Sequence, residues 1–559
     1  MAKQGSADQR FEKLVKDYFE QALPMSPEFA TQLGDHRFDS RLTDYSPEGE
    51  QRGRDLDQST LKALSDIPLT ELSQVDQTDA RILQHRLSYS IFRTDVLRER
   101  EWNPLHYSFG QAIYVLIARD FAPLSERLQS AKARLEALPA AIAQAKSNLK
   151  RSPPKVHTET AISQNKGAVR MVKVELAALA AQVPGMQAQL EPSQLRAVAA
   201  LEEYGEWLEK ELLPRSTDDF RLGEEKYRQK LRFALESDLS MEEIARRARA
   251  DLASTQDQIY QVALSLYRRH FPGKISPAEV NDRKQVVATV LAKLAEDRPT
   301  NDTIVELAKA DLKSTTDFVR SKELVTLPRE PVKVVVMPEF KRGVAVAYCD
   351  PSGPLEKRAE TFFAISPTPS DWTAARVESF FKEYNNYMVQ DLTVHEAMPG
   401  HYLQLAHSNH FRAPTPIRSI LYSGLFAEGW AVYAERLMAD HGYGGPEVRM
   451  QQLKMRLRMV INAILDGQIH AGTMTEKEAM ALMMEEGFQE EGEAAGKWKR
   501  AQLTSAQLPT YYVGNLEVEA IRKDYLAKHG AQTKERQMHD AMLSFGTPAP
   551  KYVRELLGL

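Results

Sequence analysis

The sequence predicts a mainly α-helical protein that carries one small β-sheet, and three observations lead there. From Asp8 to about Leu327, apolar residues recur at helical spacing, most plainly at Leu124, Leu128, Ala131, Leu135 and Leu138, alternately four and three apart. At Pro331 the texture changes to short β-branched runs bounded by Pro, Gly and Asp. From Trp372 onward the helical pattern returns.

Taken in order, Glu242 to His270 and Val286 to Leu294 are further helical stretches in the first part of the chain. Arg151-Ser152-Pro153-Pro154, Leu213-Pro214 and Arg298-Pro299 read as turns between helices. No fixed-period repeat is present, so a solenoid is not supported. Val332–Val336, Val344–Tyr348 and Thr361–Ile365 are the three strand candidates, expected to form a small antiparallel sheet. Ala374 to Ala397 then reads as one helix leading into the most unusual segment of the chain. This gives an N-terminal helical half over 1–330, a sheet segment over 331–366 and a second, chemistry-bearing helical half over 367–559.

Composition excludes several classes of function. With 73 Lys plus Arg against 77 Asp plus Glu, the net charge is −4, which offers no field to attract nucleic acid or an acidic membrane. The basic runs Arg246-Arg247-Ala248-Arg249 and Lys497-Trp498-Lys499-Arg500 read as solvated helix faces. Nothing approaches the roughly 18 apolar residues of a membrane span. The single cysteine, Cys349, rules out an intrachain disulfide framework and a cysteine-rich metal site. The start Met-Ala-Lys-Gln-Gly-Ser lacks the apolar core of a signal peptide, which fits either a cytoplasmic protein or the edge of a trimmed, exported one. The sequence leaves the oligomeric state open.

Chemistry is concentrated in the C-terminal third, where His395, His401, His407, His410, His441 and His470 make up six of the chain's 13 histidines. Thr393-Val394-His395-Glu396-Ala397-Met398-Pro399-Gly400-His401 puts two imidazoles and a carboxylate within seven residues. A hydrolytic zinc site needs neutral nitrogen ligands for the metal and a free carboxylate beside them to take a water's proton. His395 and His401 answer the first need and Glu396 the second. The spacing is unusual, because six residues of ideal helix turn about 600° and leave the two imidazoles about 120° apart. An unbroken helix therefore cannot present both to one Zn²⁺. Pro399 removes a backbone donor and Gly400 tolerates dihedrals that other residues avoid, so the helix is expected to deform here and bring His401 back beside His395. The bland alternative is that Pro-Gly simply ends a helix.

Two histidines leave such a site one protein ligand short. Downstream, the apolar helical stretch Leu425 to Glu435 carries two acids, Glu428 and Glu435, seven residues and nearly two turns apart, hence on one face. Acids on an apolar face are costly to bury unpaired. One as metal ligand and the other as its support would remove that cost, unless both face solvent. Asp391, one turn before His395, either orients a ligating imidazole or faces solvent.

His-Glu-Ala-Met-Pro-Gly-His-Tyr-Leu-Gln at 395–404 and Ala-Glu-Gly-Trp-Ala-Val-Tyr-Ala-Glu at 427–435 resemble the bacterial domain-of-unknown-function 885 family. Phe-Ala-Thr-Gln-Leu-Gly-Asp at 29–35, Asn-Pro-Leu-His-Tyr at 103–107, Arg-Leu-Gly-Glu-Glu-Lys-Tyr at 221–227, Asp-Gly-Gln-Ile-His at 466–470 and Pro-Thr-Tyr-Tyr-Val-Gly at 509–514 extend the likeness nearly end to end. That family is similar to helical zinc peptidases of the angiotensin-converting-enzyme, thimet oligopeptidase and thermophilic carboxypeptidase groups. The resemblance implies Glu428 as third zinc ligand, a deep cleft between two helical halves, and an edge strand, here Val344 to Tyr348, aligning an extended peptide. It further implies His470 and Tyr511 as the groups that steady the oxyanion. Ser505-Ala506-Gln507-Leu508 stands where the family usually has Pro-Gly-Gln-Ala, which leaves Tyr512 as the rival of Tyr511.

The resulting expectation is a zinc metallohydrolase acting on a peptide or small amide, with His395, His401 and Glu428 on the metal, Glu396 as general base, and His470 and Tyr511 as oxyanion donors. Arg458 and Arg500 either receive a substrate's terminal carboxylate or are surface charges. The rival readings are a zinc amidase or esterase with a non-peptide substrate, and a degenerate helical binding protein.

Overall fold

A computed structural model of the chain describes residues 6–273, 282–338, 342, 346–356, 360–369 and 372–559. The chain forms two compact units. The first comprises Met1–Phe220, Ser352–Ala359 and Arg412–Leu421, and the second Arg221–Pro351, Glu360–Phe411 and Tyr422–Leu559.

The first unit is helical, and its long Leu124–Asn148 helix packs against Met186–Trp207. The stripe read from the sequence is what it buries: Leu128, Ala131, Leu135 and Leu138 are fully inaccessible. Each such leucine contributes roughly 1.5–3 kcal/mol. The long N-terminal segment of the first unit runs to Phe220, whereas the sequence predicts an N-terminal half extending to 330. The reason lies in the Met241–His270 helix, whose Ile259, Ala263 and Leu266 share a core with Met450, Leu453 and Leu457 of the Gly445–His470 helix. That apolar face ties the 221–330 segment to the C-terminal helices.

Three strands, β1 (Val332–Val336), β2 (Ala347–Asp350) and β3 (Thr361–Ile365), form one sheet in the order β1-β3-β2. β2 runs antiparallel to β3, with Ala347 opposite Ile365, as expected. β1 runs parallel to β3, with Val332 opposite Thr361, which departs from the all-antiparallel expectation. No tight turn joins β1 to β3, because the chain passes through β2 first, so a hairpin does not dictate their direction. Within the expected strand Val344–Tyr348, Val344 and Ala345 lie outside the described residues, and the observed strand extends to Asp350.

The helix expected from Ala374 through Ala397 is two helices, Ala374–Glu383 and Asn386–Glu396. Asn385 interrupts it: its side chain accepts from the backbone N–H groups of Tyr387 and Met388 and starts the second helix afresh. The Gly424–Asp440 and Pro509–His529 helices approach unusually closely, since a Cβ on Gly429 would stand 2.3 Å from the carbonyl carbon of Gly514. This contact brings Glu428 and Tyr511 onto neighbouring walls of one site. No described helix is long and apolar enough to cross a membrane.

Candidate metal centre and its cavity

The Asn386–Glu396 helix stops one residue after His395, and a second helix, His401–His410, begins at the second histidine. Between them the Met398–Pro399 peptide is cis. The turn is closed by Met398 N–H to Thr393 O at 3.1 Å and Gly400 N–H to Val394 O at 2.9 Å, and Trp430 Nε1 donates to Pro399 O at 2.9 Å. Gly400 is obligatory here, since a Cβ would fall 1.9 Å from His395 O. The deformation expected of Pro-Gly is thus a complete break between two helices. It sets the His395 and His401 rings 4.8 Å apart and nearly perpendicular.

Across from them the Gly424–Asp440 helix supplies Glu428. Its Oε2 stands 3.5 Å from His395 Nε2 and 3.4 Å from His401 Nε2, and one ligand atom from each of the three residues lies within 4.8 Å of the others. Glu428 Oε2 is buried and has no hydrogen-bond partner, an expensive state for a carboxylate oxygen unless a cation completes it. Burial pushes the Glu428 carboxyl up, but contact with the two imidazoles outweighs burial and holds it well below the usual range. The donor set, two imidazole nitrogens and one carboxylate, is one that zinc accepts while leaving a position for substrate. These residues fit a zinc ion.

Glu435 accepts from, or donates to, His395 Nδ1 at 2.6 Å, and so fixes which nitrogen faces Glu428. The two acids of this helix therefore take different places, one beside both imidazoles and the other behind one of them. Asp391 is buried, and its Oδ2 has no hydrogen-bond partner among the described residues; burial first, and then the Glu435 charge, push its carboxyl well above the ordinary range. Glu396 follows His395 directly, is 8 % exposed, and lines the same cavity. Its Oε2 accepts the Cys349 backbone N–H at 2.9 Å, which pins the carboxylate to edge strand β2.

Tyr511 lines the cavity, its ring 6.3 Å from that of His395, and its hydroxyl accepts from Arg500 Nη2 at 3.0 Å. Burial and then the Glu428 charge raise its pKa, so the phenol keeps its proton. Tyr512 faces elsewhere and donates to Asp251 at 2.8 Å. His470 is not brought to the cluster. Its Nε2 meets Ala501 O at 2.8 Å and its ring stacks on Tyr227 at 6.0 Å, so it joins helices in the interior and does not line the cavity. His407 is likewise apart, bonded to Thr326 O.

The two arginines are not surface charges. Arg458 is buried and gives Nη2 to Glu383 and Nη1 to Tyr384 at 3.3 Å. The run at 497–500 was expected to be solvated, yet Lys497 and Trp498 are buried and Lys497 and Arg500 line the cavity. A signal was present: Ala494, Trp498 and Ala501, all buried, recur at helical spacing, and Lys497 falls in the same stripe. The run at 246–249 does lie on a wet face, with Arg246 and Arg247 both paired to Glu243.

Comparison with known proteins agrees with the sequence motifs. A solved candidate lipoprotein of unknown function from Shewanella oneidensis is 30% identical, covering 98% of this chain and 100% of its own, with TM-score 0.80. A candidate lipoprotein from Colwellia psychrerythraea is 16% identical over 99% of both chains, also with TM-score 0.80. An M32 carboxypeptidase from Deinococcus radiodurans R1 matches at 11% identity and TM-score 0.40, covering 99% of this chain and 96% of its own, a likeness too loose to bear on the site. No curated protein matches the chain. The model of the family described as "Bacterial protein of unknown function (DUF885)" matches residues 27–557, and the chain belongs to that family.

Proposed function

We propose that this chain is a zinc-dependent peptidase. The observation that carries the reading is the convergence of His395, His401 and the unpartnered Glu428 Oε2 beside Glu396, a carboxylate held at the cavity wall by a backbone N–H. Zinc held by the first three would polarise a scissile carbonyl and acidify a water. Glu396 takes the proton from the attacking water and returns it to the leaving amine. Tyr511, protonated and aimed into the cavity, donates to the oxyanion that appears only in the transition state. Glu435 keeps the His395 ring in place throughout. An amidase or esterase would use the same groups, so the substrate has to be tested directly.

Digestion of a peptide library, with and without a chelator, is the test. Cleavage should stop with the metal removed and return with added zinc. Glu396→Gln should keep its zinc and lose at least about 100-fold in turnover. Near-normal turnover by that variant, or cleavage of esters with no peptide cleaved, would overturn the reading.

A further inference from the structure

The Glu491–Leu503 helix forms one wall of the cavity that reaches the metal ligands, and it presents Gly496, Lys497 and Arg500 there. Lys497 is 8 % exposed. Among the described residues its Nζ meets no hydrogen-bond acceptor, and the carboxylate paired with it, Glu493, stands 4.0 Å away. Glu493 is engaged elsewhere: it accepts from Tyr384 Oη at 2.8 Å and faces Arg458 Nη1 at 3.5 Å. Glu383, which also lines the cavity, takes Arg458, Lys454 Nζ at 2.8 Å and Glu490 N–H at 2.9 Å. Among the described residues Arg500 forms no ion pair with a carboxylate, and it gives Nη2 to Gln507 and Tyr511.

Glu493 is thus shared with Arg458 and Tyr384, and among the described residues neither Lys497 nor Arg500 has a carboxylate within hydrogen-bond distance. A buried ammonium without a hydrogen-bond acceptor is costly to keep. Burial and then the Arg500 charge push it down to about 7, more than the Glu493 and Glu428 charges offset. Beside it the side chain of Gly496 is absent, and a Cβ there would meet nothing within 4 Å. Space and charge are therefore both provided for an incoming anion.

We propose that Lys497, with Arg500 beside it, binds a carboxylate of the substrate next to the scissile bond. Chain direction places a free α-carboxylate on the amine side of any peptide bond, so this subsite makes the chain remove residues from C-terminal ends. An acidic side chain at the same position is the other source of this chemistry. The apolar wall formed by Trp372, Phe380, Met455 and Met459 receives the neighbouring side chain. This inference rests on the peptidase reading, and its test separates the two.

The zinc-loaded full chain is assayed on three blocked peptides: one ending in phenylalanine with a free carboxylate, its C-terminal amide, and an amide with glutamate as the last residue. In parallel, calorimetry measures binding of N-acetylphenylalanine and of its amide to the wild type, Lys497→Met and Lys497→Arg. The wild type should prefer the free acid by about 10- to 100-fold. Lys497→Met should lose that preference through KM, and Lys497→Arg should restore part of it. A glutamate amide cleaved as well as the free acid identifies the side chain as the source. Equal treatment of acid and amide by the wild type, or an undiminished preference in Lys497→Met, overturns the proposal. If no peptide is cleaved, the peptidase reading falls, and calorimetry still decides the subsite: acid binding lost in Lys497→Met upholds it, and equal binding of acid and amide refutes it.

Discussion

Replacing Lys497 by methionine should make the protein more stable at mildly acid pH, although it removes a charge from a functional cavity. The ammonium sits among Arg458, Arg500, Glu493 and, further off, Glu428, and its pKa falls from 10.5 to about 7, chiefly through burial. At 1.36 kcal/mol per pH unit this is about 5 kcal/mol of folding free energy lost when the group is charged in both states. The folded pKa lies below the unfolded one. The penalty is therefore complete below about pH 7, shrinks as pH rises from there toward 10.5, and is gone above. Methionine has a similar length, carries no charge and fills the same apolar stripe with Ala494 and Trp498. Thermal melts of zinc-saturated wild type and Lys497→Met at about pH 6 and about pH 10 read the effect. The variant should melt about 5 °C or more above the wild type at the acid end, with the gap closing at the alkaline end. A variant less stable than the wild type at the acid end, or a gap that does not change with pH, would refute the assignment of Lys497 as a cation whose burial its acidic neighbours do not offset.

Three further outcomes follow from the site. Glu435→Gln, which weakens the hold on His395 Nδ1, should cost about 10- to 100-fold in zinc affinity, read by competition with a chromogenic chelator. Tyr511→Phe should lower kcat by roughly 100-fold with KM little changed, whereas Tyr512→Phe, which loses its bond to Asp251, should leave kinetics alone and cost about 1 kcal/mol of stability. Gly400→Ala sets a methyl group against His395 O, and should displace the turn, release the metal and destabilise the fold by about 3 kcal/mol or more, visible together in metal content and melting.

Much of this was legible in the sequence, for identifiable reasons. Helical periodicity in the Leu128–Leu138 stripe and β-branched composition at Val332–Val336 and Thr361–Ile365 are local properties, and both elements are observed. The Pro399-Gly400 break was readable because an i to i+6 histidine pair cannot share a face of a continuous helix. Glu428 and Glu435 could be placed on one face of an apolar helix, and the structure sets the first beside both imidazoles and the second behind His395. Longer-range facts were not legible. The parallel pairing of β1 with β3 depends on the path of the chain through β2, which no local pattern records. His470 sits in a segment resembling the family's motifs, but its neighbours Tyr227 and Ala501 come from separate helices, and only the packing shows that it faces them. Lys497 was hidden by its basic neighbours, Lys499 and Arg500. A charged run reads as solvated unless the apolar stripe running through it is given more weight.

The central claim is that His395, His401 and Glu428 together hold one zinc. Metal content per chain by mass spectrometry tests it most directly, on protein purified without added metal and then loaded and desalted, for the wild type and for His395→Ala, His401→Ala and Glu428→Ala. The account predicts one zinc per chain in the wild type and close to none in each variant, with Glu396→Gln retaining its full complement. A wild type that holds no zinc after loading, or a full equivalent remaining in any of the three alanine variants, would contradict it.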